Sequence, residues 1–222
     1  MDNISESQQP LNEDTTDGLA VKLYETLLKC EYAGNNNGQH EKLVEDIFIK
    51  LGFTQLRDIN IKKDTILNIT SLENKLHPGS YIAQPCGSQS SPDFIVRLHR
   101  GKIIHLECKS TKNNKPTFNS GGCKSHMVYL LSSEKYKETT MFVGSSIITH
   151  EQQGIIDDLI ISQNKLAKIA NERLNAIDAN NRGISYYTRP MICQSGDSSK
   201  TDYFTHANRK ECEKEVLEYF LV

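Results

Sequence analysis

No CxxC pair occurs in this sequence, nor any Cys/His spacing of the kind that closes a zinc knuckle. The six cysteines, at 30, 86, 108, 123, 193 and 212, are scattered, as expected of buried or idle thiols in a reducing compartment. No apolar run approaches the length that crosses a bilayer, and the first seventeen residues lack the basic start and apolar centre of a signal peptide. A soluble, cytoplasmic protein is the expectation. An excess of one charge sign is also missing, since 26 Lys and Arg stand against 28 Asp and Glu. That balance excludes a general attraction to polyanions, so any surface for nucleic acid must be local. Internal repeats and low-complexity tracts are absent too, which excludes solenoids.

What is there fits one domain, because 222 residues suffice for a single well-packed core and fall short of two ordinary ones. Residues 1–17 are polar and acidic with hardly any apolar content, and are expected to form a flexible arm ahead of a domain over 18–222. Leu19, Leu23, Leu27 and Leu28 predict a helix over 19–30, broken by the Gly34 to Gly38 stretch. A second helix is predicted from near His40, with Leu43, Val44, Ile47, Phe48 and Leu51 in one stripe ending at Gly52. Glu41 and Glu45 share an edge of that stripe. Strands are predicted at 94–98, 102–108, 127–131 and 141–148. A long helical pattern over 151–177, closed by Asn180, Asn181 and Gly183, reads as core or as a dimer surface. A last helix is predicted over 208–221. The whole reads as a mixed α/β layer fold.

The segment Lys102-Ile-Ile-His-Leu-Glu-Cys-Lys109 concentrates the chemistry. In a strand the side-chain period is two, so Ile103, His105, Glu107 and Lys109 share one face. A three-residue hairpin loop of His99-Arg100-Gly101, with Gly101 left-handed, pairs Leu98 with Lys102, and counting back sets Asp93 opposite Glu107. A two-residue loop would instead separate the acids. Opposed residues have Cβ atoms roughly 5 Å apart, so this register brings two carboxylates together with an ammonium beside them.

Both strands carry apolar residues on both faces, and central strands do not hold charges idly. Two crowded carboxylates repel unless something positive lies between them, and a hard divalent cation with oxygen ligands, Mg²⁺, suits that role. Such an ion lowers the pKa of its bound water and clamps a phosphate oxygen, while a lysine positions the water or offsets the growing charge. The chemistry expected is phosphodiester hydrolysis.

Pro92-Asp93 followed by Glu107-Cys108-Lys109 resembles the signature of the PD-(D/E)XK nucleases. The Gly87 to Ser91 lead-in, the polar Ser110 to Lys115 stretch and the upstream acid-bearing helix resemble the surroundings of that motif in type II restriction endonucleases. The resemblance covers roughly residues 39 to 148. It implies a mixed central β-sheet flanked by helices, a restriction-endonuclease-like core over about 39–150, with additional C-terminal helices over about 151–222. It also implies Asp93, Glu107 and Lys109 as catalytic residues and Mg²⁺ held by Asp93 and Glu107. Glu45, ahead of Glu41, is expected to add a carboxylate, since related nucleases often use an acid from an N-terminal helix.

Lys112, Lys115, Lys124 and His126 leave the active strand where they could meet phosphates, while Gln89, Asn113, Asn114 and Asn119 could read base edges. Arg182 and Arg189 with Tyr186 and Tyr187 form a cluster that fits DNA, a second subunit, or simply tyrosines buried on a late strand. The leading expectation is a sequence-specific endonuclease cutting double-stranded DNA as a homodimer, one active centre per strand, with a cognate DNA methyltransferase as a possible companion. A structure-selective repair nuclease and a catalytically silent DNA-binding module are the alternatives.

Overall fold

The computed structural model describes residues 13–32, 37–57, 59, 61, 66–87, 90–119, 122–192, 194 and 203–222. Five α-helices and six strands appear there: α1 (Glu13–Leu28), α2 (Asn37–Lys50), β1 (Thr54–Gln55), α3 (Ile69–Glu73), β2 (Ser80–Ala83), β3 (Phe94–Arg97), β4 (Ile103–Thr111), β5 (Val128–Ser133), β6 (Glu138–Val143), α4 (His150–Ala176) and α5 (Arg209–Leu221). The strands lie in one sheet in sequence order. β1/β2 and β4/β5 are parallel and the other pairs antiparallel, so the protein is α/β with a mixed sheet. Among the described residues no helix is long and apolar enough to cross a membrane.

The hairpin forms in the register that the loop chemistry dictates. Phe94 pairs with Leu106 and Arg97 with Ile103, the Leu98 amide donates to the Lys102 carbonyl at 2.8 Å, and Gly101 turns the chain at φ +95°. Alternation then gives the sheet two different faces. On one, Tyr81, Phe94, Val96, Ile104, Leu106, Val128, Leu130 and Met141 pack with Leu23 and Leu27 of α1, Val44 and Phe48 of α2, and Val216 and Phe220 of α5. Each such side chain contributes roughly 1.5–3 kcal/mol when fully buried.

The opposite face is covered in two pieces. Ile82, Ile95 and Ile103 join Ile61, Ile66, Leu72 and Leu76 in one cluster. Tyr129, Leu131 and Phe142 join Phe118, Met127, Ile148 and Phe204 in another. The C-terminal half of β4 runs between these two patches, and its charged side chains sit in the gap.

Several expectations shift. α1 begins at Glu13, so the last part of the expected arm is helical, carried by the buried Leu23 and Leu27 further along; residues 1–12 lie outside the described residues. β1 and β2 add to the expected strands, being too short to show an alternating run. β5 extends through Ser132 and Ser133, both fully buried. β6 runs over Glu138–Val143 rather than 141–148 and ends at Gly144, where an added Cβ would lie 1.9 Å from the Lys124 carbonyl oxygen. α5, expected in a C-terminal extension, instead completes the core beneath the sheet, with Phe220 edge-on to Tyr24.

α4 matches its expected span and starts with a capping box, Thr149 and Gln152 exchanging hydrogen bonds with each other's backbone. None of its residues is buried, which removes the core reading for this helix. Past Asn181 and Gly183, both at positive φ, the chain runs back along α4: Asn171 brackets the Tyr186 backbone at 2.7 and 2.6 Å, and Asn164 accepts from Thr188 Oγ at 2.5 Å.

Candidate active site

Asp93 immediately precedes β3, and the β3/β4 register extended by one residue sets it opposite Glu107. The amide of Gln84 donates to the Asp93 carbonyl at 2.7 Å, extending the β2/β3 ladder by the same step. Gln84, Asp93 and Glu107 therefore form one row across three strands, with Lys109 two residues along β4. Asp93, Glu107 and Lys109 are 9, 4 and 8 % exposed, values that charged side chains reach only when partnered.

Their partners are specific. Asp93 Oδ2 accepts from the backbone N–H of Cys108 at 2.8 Å, and Lys109 Nζ reaches Glu107 Oε1 at 2.7 Å. Among the described residues Glu107 Oε2 is buried with no hydrogen-bond partner. Burial, then the neighbouring Glu107, push the Asp93 carboxyl up to about 8, with Glu41 adding to the rise; the Cys108 N–H and Lys109 oppose it. Burial also raises Glu41. If ionised, three acids face one ammonium.

The acids open into a cleft of about 860 Å³. Its floor is the β3/β4 row, and its sides are the N-terminal end of α2, the 122–127 loop, the first half of α4 and the returning strap at 187–190. Lys124 bonds Asp157 of α4 at 2.5 Å, while Gln153 accepts from the Ser125 amide at 2.7 Å and donates to Asp157 at 3.2 Å. These contacts clasp α4 to the loop. His126, which also lines the cleft, meets His105 of β4 edge-on at 5.5 Å. Its Nε2 is buried and unpartnered among the described residues, and burial followed by His105 lowers it to about 4.

The expected residues divide plainly. Asp93, Glu107 and Lys109 come together; Asn119 and Lys124 also line the cleft. Lys112, Asn113 and Lys115 are exposed and outside its lining, the last reaching the Gln194 carbonyl at 3.3 Å. Gln89 lies outside the described residues. Glu45 is a correction: its carboxylate accepts from Gln55 at 2.8 Å and Tyr81 at 3.2 Å and does not line the cleft. Glu41, one helical turn earlier, does, because the N-terminal end of α2 is the one that reaches the Asp93 end of the sheet. Tyr186 and Tyr187 are exposed and in no strand, against the reading of buried tyrosines, and Tyr187 and Arg189 face the cleft. Sequence reasoning missed Gln84, Gln153, Asp157 and Asn164; only their tertiary placement marks them.

The five described cysteines are free thiols. Among the described residues no group of three or more His, Cys, Asp or Glu side chains is placed to hold a metal ion, so an all-protein cage of the zinc type is not built here. Two carboxylates with room for water and a phosphate is the smaller requirement of Mg²⁺, and the orphaned Glu107 Oε2 beside the raised Asp93 belongs to a donor set whose only positive partner among the described residues is Lys109. Searches with family models, among curated proteins and among solved structures found no match to this chain.

Proposed function

We propose that this chain is a Mg²⁺-dependent, sequence-specific endonuclease that hydrolyses phosphodiester bonds of double-stranded DNA, a type II restriction enzyme with a restriction-endonuclease-like core. The observation that carries the reading is the row of Asp93 and Glu107 on adjacent strands, with Lys109 on the same face of a polar cleft. Asp93 and Glu107 would hold the ion, and Glu41 stands near enough to raise the Asp93 carboxyl. When bound, Mg²⁺ supplies a water of lowered pKa and a clamp on a phosphate oxygen.

The chain's own groups do the remaining work. The Cys108 N–H fixes Asp93 Oδ2, so this carboxylate is oriented before any ion arrives. Lys109 is held on Glu107 Oε1, beside the carboxylate pair, where its ammonium would position a water or offset charge on a phosphate. Arg189 and Lys124 offer phosphate contacts and Asn119, Asn164 and Tyr187 offer polar groups toward bases.

Two centres are needed to cut both strands, so the active form is proposed as a homodimer. A sequence-specific cutter acting in the cytoplasm also needs its host sites protected, for which a cognate DNA methyltransferase would serve. The test is incubation of long plasmid or phage DNA with and without Mg²⁺, using the wild type, Asp93→Ala and Lys109→Ala. Discrete bands that need the metal and vanish in both variants are expected, with activity down at least about a hundredfold. A smear would favour a structure-selective repair nuclease, and no cutting on varied DNA a catalytically silent binding module.

A further inference from the structure

Gln84 is the third member of the cross-strand row, and its conformation is unusual in two respects. Its backbone sits at φ +50°, a left-handed position that residues with a Cβ rarely take without compensation. Its side chain is arranged with donors engaged and acceptor idle: Nε2 donates to Glu41 Oε2 at 2.6 Å and approaches Asp93 Oδ1 at 3.5 Å, while Oε1 is buried and unpartnered among the described residues. The opposite amide orientation would set two oxygens 2.6 Å apart, so the assignment is the one that an ionised Glu41 requires.

The Gln84 backbone is fixed, its N–H on the Asp93 carbonyl and its own carbonyl accepting from Gly87 at 2.9 Å. A strained residue with an orphaned buried oxygen, set at the wall of the cleft, implies a partner for that oxygen that the described residues do not provide. A hydrated divalent cation on Asp93 is such a partner, because Mg²⁺ keeps several of its waters and those waters donate hydrogen bonds.

Building on the nuclease reading, we propose that Gln84 is a positioning residue of the cation site. Its Nε2 holds the Glu41 and Asp93 carboxylates apart and in place, and its Oε1 would accept a hydrogen bond from a water of the hydrated ion. The pair explains why Glu41, though an acid at the cleft, need not touch the ion: the amide is interposed.

The experiment is Mn²⁺ binding to the DNA-free full chain, followed by the electron paramagnetic resonance signal of the free ion, with folding checked by circular dichroism. Gln84→Leu is expected to weaken Mn²⁺ binding at least fivefold. Gln84→Glu, which keeps an oxygen at the Oε1 position but loses the Nε2 donor to Glu41, is expected to lose less Mn²⁺ affinity than the Leu variant. If the Leu variant does not fold, Gln84→Asn, which withdraws the amide by one methylene, takes its place with the same threshold. A loss below fivefold, or a Glu variant weakened as much as the Leu variant, overturns the proposal while leaving the nuclease reading intact. A wild type that does not bind Mn²⁺, or binding that survives Asp93→Ala, overturns the cation site itself and Gln84's role with it.

Discussion

At the scale of single residues, Asp93 ties the chemistry of the site to the stability of the fold. Its carboxyl is surrounded by Glu107 and Lys109 on β4, Glu41 on α2 and the Gln84 amide, and burial first, then Glu107, raise it to about 8. An acid whose folded pKa exceeds its unfolded value of about 3.9 holds a proton in the native state that the unfolded chain has released. Stability therefore falls as pH rises from the unfolded value to about 8. His40 and His126 act in the opposite sense: burial lowers both to about 4, so they add stability as pH climbs from about 4 to their unfolded value near 6.5. Above that value the histidines no longer contribute a slope. Between about pH 6.5 and 8 the metal-free protein should thus lose up to roughly 1.4 kcal/mol per pH unit from this one group. Urea unfolding across that window should show the slope in the wild type and a shallower one in Asp93→Asn, and added Mg²⁺ should reduce it. An unchanged slope in the Asn variant would mean that Asp93 is ionised in the native state and the crowding argument is wrong.

At the scale of elements, the same chemical change has opposite signs at two glycines. Gly144 ends β6 where its backbone docks on the 124–127 loop, its N–H on the Met127 carbonyl at 2.8 Å, and an added Cβ would meet the Lys124 carbonyl oxygen at 1.9 Å. The obstacle is backbone, so Gly144→Ala should cost at least about 1–3 kcal/mol and loosen the loop that carries Lys124 and His126. Gly154 lies inside α4 with nothing within 4 Å of its Cβ position, so Gly154→Ala should gain about 0.5–1 kcal/mol of local helix stability. Thermal unfolding for the first variant and amide exchange along α4 for the second would check both; a neutral Gly144→Ala would show that β6 can end elsewhere. Local chemistry and tertiary packing divide the site in the same way. The β3/β4 register follows from a period of two and a loop of three residues, so the amino-acid order by itself groups Asp93, Glu107 and Lys109. Glu41 and Glu45 share one edge of one helix, and only the packing of α2 on the sheet separates them. Gln84 follows a four-residue strand with no pattern of its own, and α4 with its strap forms a wall of the cleft from residues remote in sequence from the motif.

At the scale of the whole molecule, α4 is the element whose surroundings are least complete. It has 27 residues, about 40 Å of helix at 1.5 Å per residue, and its first half faces the cleft through Gln153, Asp157, Ile160 and Asn164. Another side presents Ile155, Leu159, Leu166 and Ile169 at 68, 56, 68 and 54 % exposure. These positions are spaced by four, seven and three residues, the seam of a helix that packs along a second helix. A stripe of this length is costly to leave in water, and a second copy of the same helix is complementary to it under a two-fold axis. Because the stripe and the cleft lie on one helix, such pairing would also fix the spacing of two active centres on a DNA duplex. The wild type is accordingly expected to run as a dimer in size-exclusion chromatography with light scattering. The double variant Leu159→Asp with Leu166→Asp is expected to be a folded monomer by circular dichroism, and to nick supercoiled plasmid while its rate of linearising it drops at least about tenfold, the cost of about 1.4 kcal/mol in assembly. A monomeric wild type that still linearises plasmid would separate α4 from assembly, and a double variant that remains dimeric would place the interface on another face of the molecule.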